Sequence, residues 1–411
     1  MGLRSVCRLM EEAQRSGDAA LAECQLKLRE SGVCEVVVKA LQHHASDAVG
    51  VRHGVAAITL LALDNHTNRS ALAAAGACQA VASVLRRCTA DEATLQSAAA
   101  SVTWLAQCSE NCAGMVAGAC EGLVKVLEMK IGNKELVLAA LEAVQEVSSR
   151  SSECGTRLVA AGACAAVLRV LYASGDDTDR KAAALTAMTH LAETAASREF
   201  LSTPGACAAV LAALKAHPTH EPIQRDGVDL ISKLADGSSA RSARLLAAGV
   251  CEVLVEGLGR TWLRTPLIAE GALLATTNLF STPPKGFDKY DALCRAVLRA
   301  MGAHRQDVDV QLSGLNTVEV LALIDAARAQ LRARRCNALN KLKDSVVAHR
   351  GNAEVLAYFS HARFNLEYDP PATPVELFQH CCEGLWWCLS WHMVNFINGM
   401  LRSAVRAMRY E

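Results

Sequence analysis

Cysteine is the residue in this chain with the plainest capacity for chemistry, and much of it is periodic. Of seventeen cysteines, six end a Gly-[Ala/Val]-Cys triplet: Cys34, Cys78, Cys120, Cys164, Cys207 and Cys251. A seventh copy, without its Gly, keeps Cys294. The intervals are 44, 42, 44, 43, 44 and 43 residues. Thiols at one phase suggest disulfides, zinc or redox work, but a disulfide needs Cα atoms within roughly 7 Å and zinc needs sulfur at about 2.3 Å. Equivalent positions in stacked helical units lie about one helix diameter, ~10 Å, apart. The periodic cysteines are therefore expected to act as small buried apolar residues in a reducing compartment. Cys108 and Cys112, and the set His380, Cys381, Cys382, Cys388 and His392, match no zinc spacing. No metal or cofactor is expected.

Other catalytic signatures are also missing from the sequence. It holds no phosphate-cradling Gly-rich loop, no G-x-S-x-G elbow and no H-E-x-x-H. Lys+Arg and Asp+Glu each total 42, so there is no basic excess of the kind that marks a nucleic-acid-binding chain. Met1 to Gly17 carries Arg4, Arg8, Glu11, Glu12 and Arg15, which does not read as a signal peptide, and Val6 stands where a myristoylation motif needs Ser or Thr. The expectation is a non-enzyme that does not bind nucleic acid.

The elements that carry these residues follow from the same period. After each repeating cysteine, positions +3, +4 and +7 are apolar, as in Val37, Val38 and Leu41 after Cys34, or Leu254, Val255 and Leu258 after Cys251. That spacing is one face of a helix. A short Ala/Leu-rich segment precedes each Gly, as in Asn68 to Ala75 or Ala240 to Ala248, and a longer Ala-rich helix follows, as in Asp91 to Ala106 or Lys134 to Val147. Each unit then reads as a short helix, a glycine corner, a second helix and a long third helix. The 4% aromatic content, with Ala, Leu and Val dominant, suits helices packed closely together.

The segment Asn68-Arg69-Ser70-Ala71-Leu72-Ala73-Ala74-Ala75-Gly76-Ala77 resembles the armadillo repeat, whose consensus places a polar residue and Asn before an apolar pair and Gly-Ala. The resemblance covers roughly residues 21–323. It implies an all-α fold, a right-handed α-α superhelix of about seven armadillo-type repeats, with a degenerate eighth and a C-terminal helix. The expected organisation is a capping helix over 1–20, seven repeats over 21–323, a degenerate repeat with a basic helix over 324–368, a Pro-rich linker over 369–374 and a Trp-rich helix over 375–411. In armadillo proteins the third helices line the concave face, where an Asn repeated near their ends holds the backbone of an extended peptide. The corresponding positions here are Leu60, Trp104, Glu146, His190, Lys233, Asn278 and Val320, so only Asn278 keeps the amide. Four residues earlier stand Ala56, Ala100, Glu142, Thr186, Asp229, Leu274 and Asn316, with no Trp. The departure argues against nuclear-import-adaptor activity.

What remains is a mixed groove with Trp104, Glu142, Glu146, His190, Asp229, Lys233 and Asn278 as its candidate contacts. Trp104 reads either as an exposed anchor or as packing between third helices. Glu142 with Glu146 reads as an acidic spot or a solvated face, and Asp229 with Lys233 as a self-satisfied exposed i,i+4 pair. His190 reads as a polar surface residue. Residues 324–350 read as one basic helix with Arg328, Arg332, Arg334, Arg335, Lys341, Lys343 and Arg350. Gly384 to Leu401 is an 18-residue stretch containing Trp386, Trp387 and Trp391, too short and too polar to favour a membrane span, so a solenoid cap or partner dock is expected. The expected function is a protein-binding scaffold or adaptor, cytoplasmic with the nucleus also open, whose partner the sequence does not name. A peripheral membrane adaptor using the basic stretch and the Trp-rich helix is the alternative.

Overall fold

A computed structural model describes residues 2–108, 117–282, 284 and 286–367. The Pro-rich linker, the Trp-rich helix and the His/Cys set at its start lie outside them. Among the described residues there are twenty-three α-helices and no strand, which is the fold class expected. No single described helix is long and apolar enough to cross a membrane.

The third helices form the spine. They run Ala48–Ala62, Glu92–Ala106, Lys134–Arg150, Thr178–Leu191, Glu221–Ala235, Pro266–Phe280 and Val308–Ala322, each packed on the next. Leu3–Arg15 extends the stack at one end and Ala353–Glu367 at the other. Helix starts follow local chemistry. Asp47, Asp91, Asn133, Asp177 and Asp307 each cap a third helix by accepting first-turn N–H groups. Asn65, Ser151, Thr194 and Ser238 do the same for first helices. Each such cap contributes about 1 kcal/mol. The stack is also laced by hydroxyls: Thr59 Oγ1 lies 2.7 Å from Ser101 Oγ, and Thr277 Oγ1 3.0 Å from Thr317 Oγ1.

The glycine corner takes the left-handed conformation at Gly32, Gly76, Gly162 and Gly249, with φ between +71° and +96°. Gly118 sits instead in a 3-10 turn, Ala117–Ala119, and the fifth and seventh units depart further. At Gly205 the preceding proline sets the helix start, so Pro204–Ala216 begins before the glycine and needs no left-handed turn. In the seventh unit no helix lies among the described residues between Phe280 and Tyr290. Pro284 sits in that interval, and an edge-to-face trio of Phe280, Phe287 and Tyr290, with centroids 4.7–5.9 Å apart, fills the space instead.

The basic stretch is a further correction. It forms two helices, Asp325–Arg332 and Ala338–Ala348, separated by a turn that ends at Asn337 with φ +48°. Cys336 in that turn is 1% exposed and stands 42 residues after Cys294, so it continues the cysteine period into an eighth unit. The sequence marks this eighth unit only as degenerate because Arg334 and Arg335 stand where six of the other copies carry Gly followed by Ala or Val.

All seven periodic cysteines are buried. Every described cysteine is a free thiol. Burial pushes the thiols up, to about 11 at Cys34 and about 12 at Cys120, Cys251 and Cys294. They act as core atoms and hold almost no thiolate at neutral pH. In the folded protein, peptide mapping after treatment with a thiol reagent at pH 8 should find these four cysteines unlabelled, and labelled once denaturant is added.

One close approach sets the packing of the sixth unit. Its second helix, Val250–Glu256, passes into a π-helical turn at Gly257–Thr261 that turns Trp262 inward. Trp262 is 2% exposed and its indole N–H donates to Gln224 Oε1 at 3.0 Å. The Gln224 amide in turn donates to the carbonyls of Leu214 and His217. A Cβ on Gly257 would lie 2.1–2.3 Å from the indole ring. Gly257→Ala should therefore displace Trp262 and cost about 3 kcal/mol, seen as a lowered urea midpoint with an unchanged slope.

Candidate binding groove

One register of the third helices is presented in the same way in every unit. Leu60, Trp104, Glu146, His190, Lys233, Asn278 and Val320 are all half-buried, each followed in sequence by a buried residue of the stack. The positions four residues earlier form a second row on the same face. The two rows make a stripe running from unit to unit, with a different side chain at each step.

Trp104 is packed and partly open at once. Its indole lies against the core, while the Arg69 guanidinium sits over the ring at 5.1 Å. Arg69 is itself held by its Nε donating to the Ala62 carbonyl at 2.8 Å. The tryptophan is thus a cation-π-clamped surface rather than a freely projecting anchor. The acidic spot is smaller than expected. Glu142 is exposed, but Glu146 accepts from Arg150 Nε at 2.8 Å and is half-buried.

The Asp229–Lys233 pair also needs correction. Lys233 is closest to Glu193, at 2.6 Å, and Asp229 is 3.7 Å away. Glu193 lies in the preceding unit, so the lysine ties two units together where a self-contained helical pair was expected. Next to it, His190 is half-buried instead of lying free on the surface. Burial first, and then the Lys233 ammonium, hold its imidazole below the usual histidine range, against the opposing pull of Glu193, Asp229 and Asp226.

Asn278 donates through its amide to the Ser232 carbonyl at 3.1 Å and to Ser232 Oγ at 3.2 Å. Its first role is a cross-unit bridge. A second amide at the same register, Asn365, was not recognised from the sequence. It donates to the Glu319 carbonyl at 3.5 Å, one unit back, as Asn278 does to Ser232. Asn365 stands 45 residues after Val320, so the period pointed to it once the eighth unit was counted. Four residues before it, His361 Nδ1 lies 3.8 Å from Glu319 Oε1. Asp226 was also missed. It is 7% exposed, accepts from the Thr186 hydroxyl, and pairs with Arg225 Nε at 2.8 Å. Trp386, Trp387 and Trp391 fall outside the described residues.

A continuous stack of third helices, an outer layer of second helices and a stripe of half-buried residues along the stack define an armadillo-repeat fold. No family model and no curated protein matches the sequence. The likeness is structural. An engineered protein matches 90% of this chain and 95% of its own at a TM-score of 0.70 and 18% identity. A chain from a structure describing a phosphorylation switch in the interaction between cadherin and beta-catenin matches at 0.68 and 17% identity, over 89% of this chain and 77% of that one. A designed armadillo repeat protein in complex with the peptide (KR)4 matches at 0.51 and 21% identity, over 60% of this chain and 98% of that one.

The depressed His190 pKa makes stability depend on pH. The neutral imidazole is favoured in the folded state, so the unfolded chain binds more protons as pH falls below the ordinary value of 6.5. The stability His190 contributes is complete above that value and is lost on acidification toward its folded pKa. In urea melts, His190→Gln should lose less stability between pH 7 and pH 5 than the wild type does.

Proposed function

We propose that the protein is a non-catalytic scaffold or adaptor that binds an extended segment of a partner protein along the third-helix stripe. The observation that carries this reading is the unbroken half-buried register from Leu60 to Asn365. It offers an aromatic face at Trp104, carboxylates at Glu142 and Glu146, and amides at Asn278 and Asn365. Such a sequence of unlike groups, held on a rigid stack, suits recognition of one segment by many small contacts. The peptide complex formed by the designed armadillo relative supports this class of partner. The free thiols of the described residues favour a reducing, cytoplasmic setting for the role.

The membrane-adaptor alternative draws less support. Its basic stretch is split between two helices, where Arg328 is engaged with Asp325 and the Ala322 carbonyl, and Arg332 with the Leu366 carbonyl. These cations do not form one continuous face.

The test is selection of random peptides on the purified full-length protein, followed by affinity measurement of the enriched sequence. Trp104→Ala should weaken that peptide at least tenfold, about 1.4 kcal/mol. The double replacement Asn278→Ala with Asn365→Ala should weaken it further, with helicity retained by circular dichroism. Peptide affinity indifferent to all three positions would move the binding surface elsewhere.

A further inference from the structure

A second concavity lies away from the stripe, along the second helices of the sixth to eighth units. Its volume is about 890 Å³, within the range of roughly 300–1,000 Å³ typical of small-molecule sites. None of its lining residues belongs to the third-helix register described above.

Its chemistry is lopsided. Arg260, Arg295, Arg299, Arg305, Arg335 and Lys341 line it against two carboxylates, Glu256 and Asp344, a surplus of four positive charges in a chain whose formal net charge is zero. Three of the cations are compensated: Arg260 by Glu256 at 3.4 Å, Arg295 by Asp291 at 2.8 Å and Arg305 by Asp344 at 2.6 Å. Arg299, Arg335 and Lys341 are exposed and form no ion pair among the described residues. They come from two different units, so local sequence does not force them together. Unpaired cations that share a concavity repel one another and are relieved by a multiply charged anion.

A second observation is independent of charge. Ser345, which lines the same cavity, is 1% exposed, and its hydroxyl has no hydrogen-bond partner. A helical serine ordinarily turns back to the carbonyl one turn earlier. Here the donor is left unused beside the positive cluster, although buried polar groups in folded proteins are nearly always satisfied. The π-helical turn at Gly257–Thr261 supplies Gly259 and Arg260 to the wall. Such single turns recur at functional sites.

We propose that this cavity binds a small polyanion carrying two or more phosphate groups, whose oxygens accept from Arg299, Arg335 and Lys341, with the Ser345 hydroxyl joining them on rotation of its side chain. Guanidinium forks match phosphate oxygens in pairs, and a lysine adds a mobile point charge. A polynucleotide would need a basic stripe longer than this patch. The same phosphate chemistry is found on soluble metabolites and on lipid headgroups; the cavity, set between helices, fits the soluble form.

The experiment is calorimetric titration of the full-length protein with inorganic tripolyphosphate and with inositol hexakisphosphate. A parallel sedimentation assay uses phosphatidylcholine vesicles doped with a phosphatidylinositol bisphosphate. Saturable one-to-one binding of the soluble probes is expected, weakening as salt rises. The combined variant Arg299→Glu, Arg335→Glu and Lys341→Glu should bind at least tenfold more weakly while keeping its helicity. Ser345→Ala should melt no lower than the wild type, since it removes an unsatisfied buried hydroxyl, yet should bind several-fold more weakly. Failure of both soluble probes to saturate, binding confined to vesicles, or an affinity unchanged in the combined variant would overturn the proposal. An unchanged affinity in Ser345→Ala would remove the hydroxyl from the site.

Discussion

Each third helix hides its apolar side against the third helices of its neighbours, and the rest of the molecule depends on that contact. A single helical triplet of about forty residues is too small to bury a core of its own. The stack resolves this by making one continuous core from Leu3–Arg15 to Ala353–Glu367. The close approach it needs explains the residue choice at the crossing of second and third helices. Gly54, Ala98, Ala140, Ala184, Gly227, Ala272 and Gly314 occupy one register. A Cβ on Gly227 would come within 2.6 Å of Leu214, and one on Gly314 within 2.5 Å of Met301. The periodic cysteines follow the same logic from the opposite helix: they fill small sites, and burial removes their reactivity.

Much of this was legible in the residues. The cysteine period located the units, the +3, +4, +7 pattern gave the second helices, and Asp91 or Asn133 before an Ala-rich run marked the third. These signals are local, set by capping chemistry and helical periodicity. Where the rule was broken, the cause was again local: proline before Gly205, and loss of the Gly-Ala marker before Cys336. The groove was read less well because its character comes from contacts across units. Arg69 reaches Trp104 over 35 positions, and Lys233 reaches Glu193 over 40. Spacing along one helix suggested Asp229 as the lysine's partner, but the neighbouring helix brought a closer carboxylate.

The side chains on the two faces do different work. Along the stripe, polar groups mostly satisfy one another between units: Asn278 with Ser232, Asn365 with Glu319, Lys233 with Glu193. These bonds hold the register of the stack, so any ligand there meets a surface already organised. Around the second-helix cavity the reverse holds, with cations and a hydroxyl left over. One face therefore offers shape and mixed polarity, and the other offers concentrated charge.

The interrupted seventh unit changes what lies against the stack at that point. In the sixth unit the first helix, Ser239–Ala247, packs against two third helices, but between Phe280 and Tyr290 of the seventh an aromatic trio stands beside a proline. A ligand long enough to reach both Asn278 and Asn365 would cross the one described unit in which rings, and not a first helix, follow the preceding third helix.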